Sequence, residues 1–136
     1  MKEIILPTAG GCMRPWIWPN GELHVEPCSM SELRLGDIAV WFDGRQMVSH
    51  RVVEIGADAL ATRGDSSAVV DAPVHPPQLL GRAVRFTKGP ISYRLDAPFV
   101  TTLARVVSQP WAKLMATGRW GRDLLTRLRS LAAPPR

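Results

Sequence analysis

The stretch that decides the fold is IAVWFDG, residues 38–44. Its five apolar residues have the length of one strand, and the Asp43–Gly44 pair behind them is a strong hairpin signal because glycine accepts the positive φ of a tight turn. A second segment, Gln46–Ile55, follows directly. The sequence therefore predicts that Ile38–Phe42 and Gln46–Ile55 pair as antiparallel strands.

Shorter β segments lie on both sides of this hairpin. They are predicted at Leu23–Glu26, Ala59–Thr62 and Gly81–Phe86. The last of these alternates with the period of two that is typical of a half-buried strand. The prolines within residues 73–77 make that stretch a stiff connector, because proline has no backbone N–H to donate to a ladder. We therefore expect the body of the protein to be mainly β.

The pattern changes after Pro98, where apolar residues recur at helical spacing as far as Leu131. The charge changes at the same place. Residues 1–96 hold ten Lys or Arg against eleven Asp or Glu, whereas residues 97–136 hold seven against one. We predict a β domain over residues 1–96 and a basic amphipathic helical tail over residues 97–136.

The sequence shows neither a signal peptide nor a membrane span. The apolar run after Glu3 is interrupted at Pro7, and no stretch approaches the ~18 apolar residues that a span requires. We expect a cytoplasmic protein. In that compartment Cys12 and Cys28 are expected to be reduced thiols, and a disulfide between them is the alternative.

Short motifs follow one another in a particular order along the body. They are GGCMRP at residues 10–15, LGDI at 35–38, SHRVV at 49–53, TRGDSSAVVD at 62–71 and GRAV at 81–84. In this order they resemble the S-M-x-P, G-D-I/V, H-R-V, G-D-N-N and G-K-V boxes of type I signal peptidases, in the archaeal and endoplasmic-reticulum branch. Each box alone is a weak signal, whereas the ordered set is more specific.

The resemblance implies a signal-peptidase-like coiled β fold, with the nucleophile at a strand edge beside a groove for an extended peptide. Cys12 stands where the family has its nucleophilic serine, and His50 stands where this branch has its histidine base. Asp71 matches the third member of the triad, and Asp65 matches the aspartate of the Gly-Asp turn. Both aspartates are candidate catalytic residues.

The nucleophile box also suggests substrate contacts. Met13 and Pro15 are the expected substrate-binding residues. The backbone N–H of Cys12 is the expected oxyanion donor, because Gly10 replaces a residue that often supplies a hydroxyl in the bacterial enzymes. The proposed chemistry requires no metal and no other cofactor.

The residue types support this chemistry without the resemblance. A free cysteine has a pKa near ~8.5, which a neighbouring imidazolium lowers, and an aspartate that accepts the other imidazole N–H fixes the tautomer. Structural interpretations stay open at each position. Cys12 could be a small buried apolar residue, His50 a hydrogen-bonded strand histidine, and both aspartates turn residues.

A zinc site is a weaker alternative. Cys12, His24, Cys28 and His50 are suitable ligand types, but the chain has no C-x2-C or H-x3-H pair. The residues therefore favour peptide chemistry over metal binding.

The sequence thus predicts an endopeptidase that cuts a precursor or leader peptide through a thioester at Cys12. One alternative is a peptide-binding module without turnover. Another is a nucleic-acid-associated regulator with a fold like that of self-cleaving repressors, although no helix-turn-helix segment is visible and nucleic acid is not the expected partner. The tail, with Trp111, Trp120 and five basic side chains, is predicted to dock on the anionic inner face of a membrane. Packing of the tail on the β body is the competing interpretation.

Overall fold

The computed structural model of the protein describes residues 2–96. Seven strands form one antiparallel sheet: β1 (Ile4–Pro7), β2 (Glu22–Pro27), β3 (Ile38–Phe42), β4 (Met47–Ile55), β5 (Leu60–Arg63), β6 (Leu79–Lys88) and β7 (Ile91–Arg94). Two single 3-10 turns, Met30–Glu32 and Pro76–Gln78, lie in the connections. The expectation of a mainly β body is confirmed.

The central hairpin forms as its sequence predicts. Each residue of β3 pairs with one of β4, from Ile38 opposite Arg51 to Phe42 opposite Met47. Gly44 has a φ of 102°, a conformation that side-chain-bearing residues rarely adopt. The Asp43 carboxylate accepts hydrogen bonds from the two backbone N–H groups that follow Gly44. The turn is therefore fixed by the two residues that predicted it.

Strand β6 organises the rest of the sheet. The order along the sheet is β1-β2-β6-β3-β4-β5. One edge of β6 pairs with β2, and its other edge pairs first with β3, over Leu79–Arg82, and then with β7, over Arg85–Lys88. Register shifts interrupt three of the pairings, namely β2 with β6, β3 with β6 and β4 with β5. Bulges of this kind bend and twist strands, so the sheet curves instead of lying flat.

Strand β3 is buried on both faces, which explains why its sequence is continuously apolar instead of alternating. Ile38 and Val40 belong to one core cluster, whereas Ala39 and Trp41 belong to a second. The first cluster also contains Met13 and Ile17, Leu23 and Val25, and Ala83, Phe86 and Leu95. The second contains Leu33, Val52, Leu60 and Val74. The first cluster holds the segment that carries Cys12.

The predicted strands differ from the observed ones mainly at their ends, by one or two residues. Strands β1 (Ile4–Pro7) and β7 (Ile91–Arg94) were not predicted, although they are no shorter than β5. Among the described residues no helix is both long and apolar enough to cross a bilayer. The predicted helical tail, residues 97–136, lies outside the described residues.

Candidate functional site

Cys12 lies in the loop between β1 and β2, and its thiol is exposed. The next residue fixes this loop to the body. The Met13 side chain is buried in the first core cluster, and the Met13 carbonyl accepts hydrogen bonds from the backbone N–H groups of Trp16 and Ile17. The Tyr93 hydroxyl of β7 donates to the carbonyl of Trp16. Cys12 is thus exposed on a loop that the buried Met13 side chain and the Tyr93 hydrogen bond fix to the body of the protein.

The Gly64–Ser66 turn binds the same loop from the other side. The Ser66 backbone N–H donates to the Cys12 carbonyl at 2.8 Å, and its hydroxyl donates to the Arg14 carbonyl, also at 2.8 Å. Gly64 approaches so closely that a Cβ added there would lie 2.9 Å from the Cys12 carbonyl oxygen and 3.3 Å from His50 Nε2. Any larger residue would have to displace the backbone that carries Cys12.

His50, on β4, links the thiol to a carboxylate. Its Nδ1 is hydrogen-bonded to Asp71 Oδ2. Its Nε2 faces the Cys12 loop, because a Cβ added at Gly64 would lie 3.3 Å from Nε2 and 3.1 Å from the Cys12 Cβ. The three residues are separated by 38 and 21 positions in the chain and meet through the sheet. This is the order of contacts that nucleophilic catalysis requires: nucleophile, base and orienting carboxylate.

The Asp71 carboxylate is itself held in place by Thr62 of β5. The Thr62 hydroxyl, which is fully buried, donates to Asp71 Oδ2 at 2.9 Å. The backbone N–H of Asp71 donates to the Thr62 carbonyl at 2.8 Å. The two hydrogen bonds with Thr62 fix both the backbone and the carboxylate of Asp71. The carboxylate oxygen that accepts the hydrogen bond of His50 therefore has a defined position.

The charges at the site favour a thiolate beside an imidazolium. Burial lowers the pKa of His50, but the hydrogen bonds to Asp71 and Cys12 outweigh burial and raise it to about 9. The pKa of Cys12 is lowered, first by its hydrogen bond to His50 and against the effect of burial. Both shifts stabilise the same ionised pair, because each charge is placed against its opposite.

Asp65, the second aspartate predicted as catalytic, does not contact His50. It forms a buried bidentate ion pair with Arg51, with Nε to Oδ1 at 2.9 Å and Nη2 to Oδ2 at 2.7 Å. Arg51 also donates to the Gly36 carbonyl at 2.7 Å. Adjacent residues of a strand point to opposite faces, so His50 faces the thiol while Arg51 faces Asp65. This ion pair holds the turn that contacts the Cys12 loop.

The two predicted substrate-binding residues occupy different environments. Met13 is only 3% exposed, and its sulfur accepts a hydrogen bond from the Asp65 backbone N–H at 3.4 Å. Its place is in the core beneath the loop instead of on the surface beside Cys12. Pro15 is exposed, and its carbonyl accepts the indole N–H of Trp18 at 2.9 Å. Of the two, only Pro15 is accessible to a substrate.

Within the described residues, neither the disulfide nor the zinc site that the sequence left as alternatives is present. Cys12 and Cys28 are both free thiols. His24 contacts Glu3 at 3.2 Å and the Thr87 hydroxyl at 3.4 Å. Within residues 2–96 no three His, Cys, Asp or Glu side chains are arranged to hold a metal ion.

Three residues of the site carried no role in the sequence prediction: Thr62, Gly64 and Ser66. All three lie inside the TRGDSSAVVD motif, so their positions were visible although their contacts were not. Thr62 begins this motif and Asp71 ends it, but the sequence does not show that the Thr62 hydroxyl bonds the Asp71 carboxylate.

No family model matches the chain, and neither a curated protein nor a solved structure matches it.

Proposed function

We propose that the protein is an endopeptidase that uses Cys12 as nucleophile, His50 as general acid and base, and Asp71 as the orienting carboxylate. One observation carries the proposal: three residues distant in sequence lie together in the order cysteine, imidazole, carboxylate, and the cysteine is exposed. A chance cluster would have no reason to combine a lowered thiol pKa with an accessible sulfur.

The proposed reaction has two stages. The Cys12 thiolate attacks the scissile carbonyl carbon, and the His50 imidazolium gives its Nε2 proton to the amide nitrogen as the carbon–nitrogen bond breaks. This leaves a thioester and a free amine. Neutral His50 then takes a proton from water as the water attacks the thioester, and collapse expels the thiolate and leaves a carboxylic acid. Asp71 keeps the Nδ1 proton in place throughout.

The oxyanion is assigned to the backbone N–H of Cys12. Within the described part of the chain this N–H donates to no carbonyl of another residue, so it is available to the negative oxygen of the tetrahedral intermediate. Backbone donors of this kind need no reorganisation during the reaction, and loss of one donor typically costs about 10²–10³ in rate.

The finer parts of the proposal come from the sequence motifs. They favour a type I signal-peptidase-like enzyme that binds a precursor or leader peptide as an extended strand. A cytoplasmic location with residues 97–136 docked on the inner membrane face is proposed with it, from the basic amphipathic pattern of that segment. Co-sedimentation should then require anionic vesicles, weaken with salt and disappear when residues 97–136 are deleted.

Peptide cleavage by matched cysteine variants tests the proposed activity. The full chain is incubated with a peptide library under reducing conditions, and products are identified by mass spectrometry. Cys12→Ala should abolish cleavage, whereas Cys28→Ala should leave it unchanged. A thiol-reactive substrate mimic should label Cys12 in the same protein. Labelling without turnover of any peptide would instead support a binding module, and loss of cleavage in Cys28→Ala alone would contradict the assignment.

A further inference from the structure

A single charged side chain projects from the loop that carries Cys12. Among residues 8–20 the only charged residue is Arg14, and it is exposed. Its guanidinium carbon lies 4.7 Å from the ring centroid of Trp18. Trp18 is 42% exposed, and its indole N–H is held by the Pro15 carbonyl. An arginine and a tryptophan thus form a stacked pair on the surface, two residues from the nucleophile.

Stacking leaves the hydrogen-bonding capacity of Arg14 available. A guanidinium that lies over an aromatic ring uses its face for the contact, and its N–H donors point outward in the plane of the group. Arg14 forms no ion pair with any other residue of the described chain. Its side chain passes over Gly11, where an added Cβ would lie 3.2 Å from Arg14 Nε. The donors of Arg14 are therefore not engaged in an ion pair.

The acidic groups near the site cannot neutralise this charge. Asp71 is bonded to His50 and Thr62, and Asp65 is buried against Arg51. The segment Ser66–Val70, which follows the turn against the Cys12 loop, carries no charged side chain. The charge of Arg14 is therefore not paired with an acidic group of the site.

We propose that Arg14, stacked on Trp18, binds a carboxylate side chain of the peptide substrate, so that the preferred substrates carry Asp or Glu near the scissile bond. A planar guanidinium with free in-plane donors fits a carboxylate through two parallel hydrogen bonds. The proposal rests on the proposed peptidase function for the position of the peptide. It adds a substrate class that the triad itself does not define.

Matched peptides test this preference directly. Pairs that differ only by Asp against Asn, or Glu against Gln, at each position flanking the cleavage point are compared for turnover by the full chain. We expect the acidic member to be preferred about threefold to tenfold, the range of a charge-assisted contact at a partly exposed site. The preference should shrink as salt is raised. Arg14→Glu should reverse it towards Lys peptides, and Trp18→Ala should weaken it. Arg45→Glu, in the exposed turn of the central hairpin, is the charge-matched control and should change nothing.

Binding to the Cys12→Ala protein separates this inference from the peptidase proposal. Fluorescence titration with the same peptides measures recognition without chemistry. Arg14-dependent binding of acidic peptides without cleavage by the native chain would support the inference and overturn the peptidase. Cleavage without an acidic preference, or a preference that Arg14→Glu leaves intact, would overturn the inference and leave the peptidase standing. Absence of both binding and cleavage would overturn both.

Discussion

The two cysteines of this protein lie in opposite chemical environments. Cys12 is exposed, lies beside His50 and has a lowered pKa. Cys28 lies half-buried against the second core cluster, and burial raises its pKa. The nearby carboxylates Glu26 and Glu32 act in the same direction. The same side chain is therefore a candidate nucleophile in one place and an inert packing residue in the other.

The difference comes from the neighbours and not from exposure alone. A thiolate needs a nearby positive charge, and His50 provides it to Cys12 because Asp71 stabilises the imidazolium in turn. Arg82 lowers the pKa of Cys28, but burial outweighs it, and Arg82 also contacts Asp37 at 3.6 Å. A charge already paired with carboxylates does little for a thiol.

Removal of the imidazole should have the largest effect on this contrast. His50→Ala is expected to lower cleavage by about 10²–10⁴, the usual contribution of a general acid and base. It should also raise the Cys12 pKa towards its ordinary value, so that Cys12 and Cys28 become similarly slow to alkylate at neutral pH. His24→Ala, a histidine outside the site, is the control. Retained cleavage in His50→Ala would remove the histidine from the mechanism.

Substitution of Asp71 should affect mainly the rate of cleavage, whereas substitution of Asp65 should affect mainly the stability of the fold. Asp71→Asn should slow cleavage while the protein stays folded, because Asn can bond His50 without supporting its charge. Asp65→Asn should instead lower the free energy of unfolding by about 3 kcal/mol, since it leaves the buried Arg51 without a charged partner. Kinetics and urea unfolding of both variants measure this. A larger rate defect in Asp65→Asn, with folding intact, would reassign the carboxylate of the triad.

The rate of alkylation, measured as a function of pH, should distinguish the Cys12 thiol from the Cys28 thiol. A lowered pKa means that the Cys12 thiolate persists at lower pH, whereas the raised pKa of Cys28 confines its thiolate to higher pH. Near neutral pH, limited iodoacetamide should therefore modify Cys12 faster than Cys28, because a larger fraction of Cys12 is thiolate. Peptide mapping by mass spectrometry measures both rates. Equal rates at neutral pH would contradict the assigned environments.

Loss of the Thr62 hydroxyl should have the smallest effect. Thr62→Val keeps the shape of the side chain but frees the Asp71 carboxylate to rotate, and kcat should fall about threefold to tenfold with KM unchanged. Thr62→Ser should restore most of the rate. The His50 Nδ1 proton should also exchange with solvent faster in Thr62→Val, a change that NMR detects. An equal rise in KM, or no rescue by serine, would make Thr62 a structural residue only.

The sequence by itself determined the β body, the central hairpin and the candidates for catalytic residues. A turn such as Asp43–Gly44 is encoded by the residues that form it, so the hairpin can be predicted from a short window. Cys12, His50 and Asp71 could be named as candidates because they lie in motifs whose order along the chain is visible. Strands β1 and β7 were missed although the equally short β5 was predicted.

The tertiary structure decided which of these residues act together. Two aspartates follow His50 in one motif, and only the fold shows that Asp71 hydrogen-bonds His50 while Asp65 pairs with Arg51. Met13 was expected to bind substrate, but the fold places its side chain in the core. Such assignments depend on contacts between residues tens of positions apart, which the pairing of β4 with β5 and the packing of the Cys12 loop create. Local sequence patterns carry no information about them, because the direction of a side chain is set by the sheet that holds it.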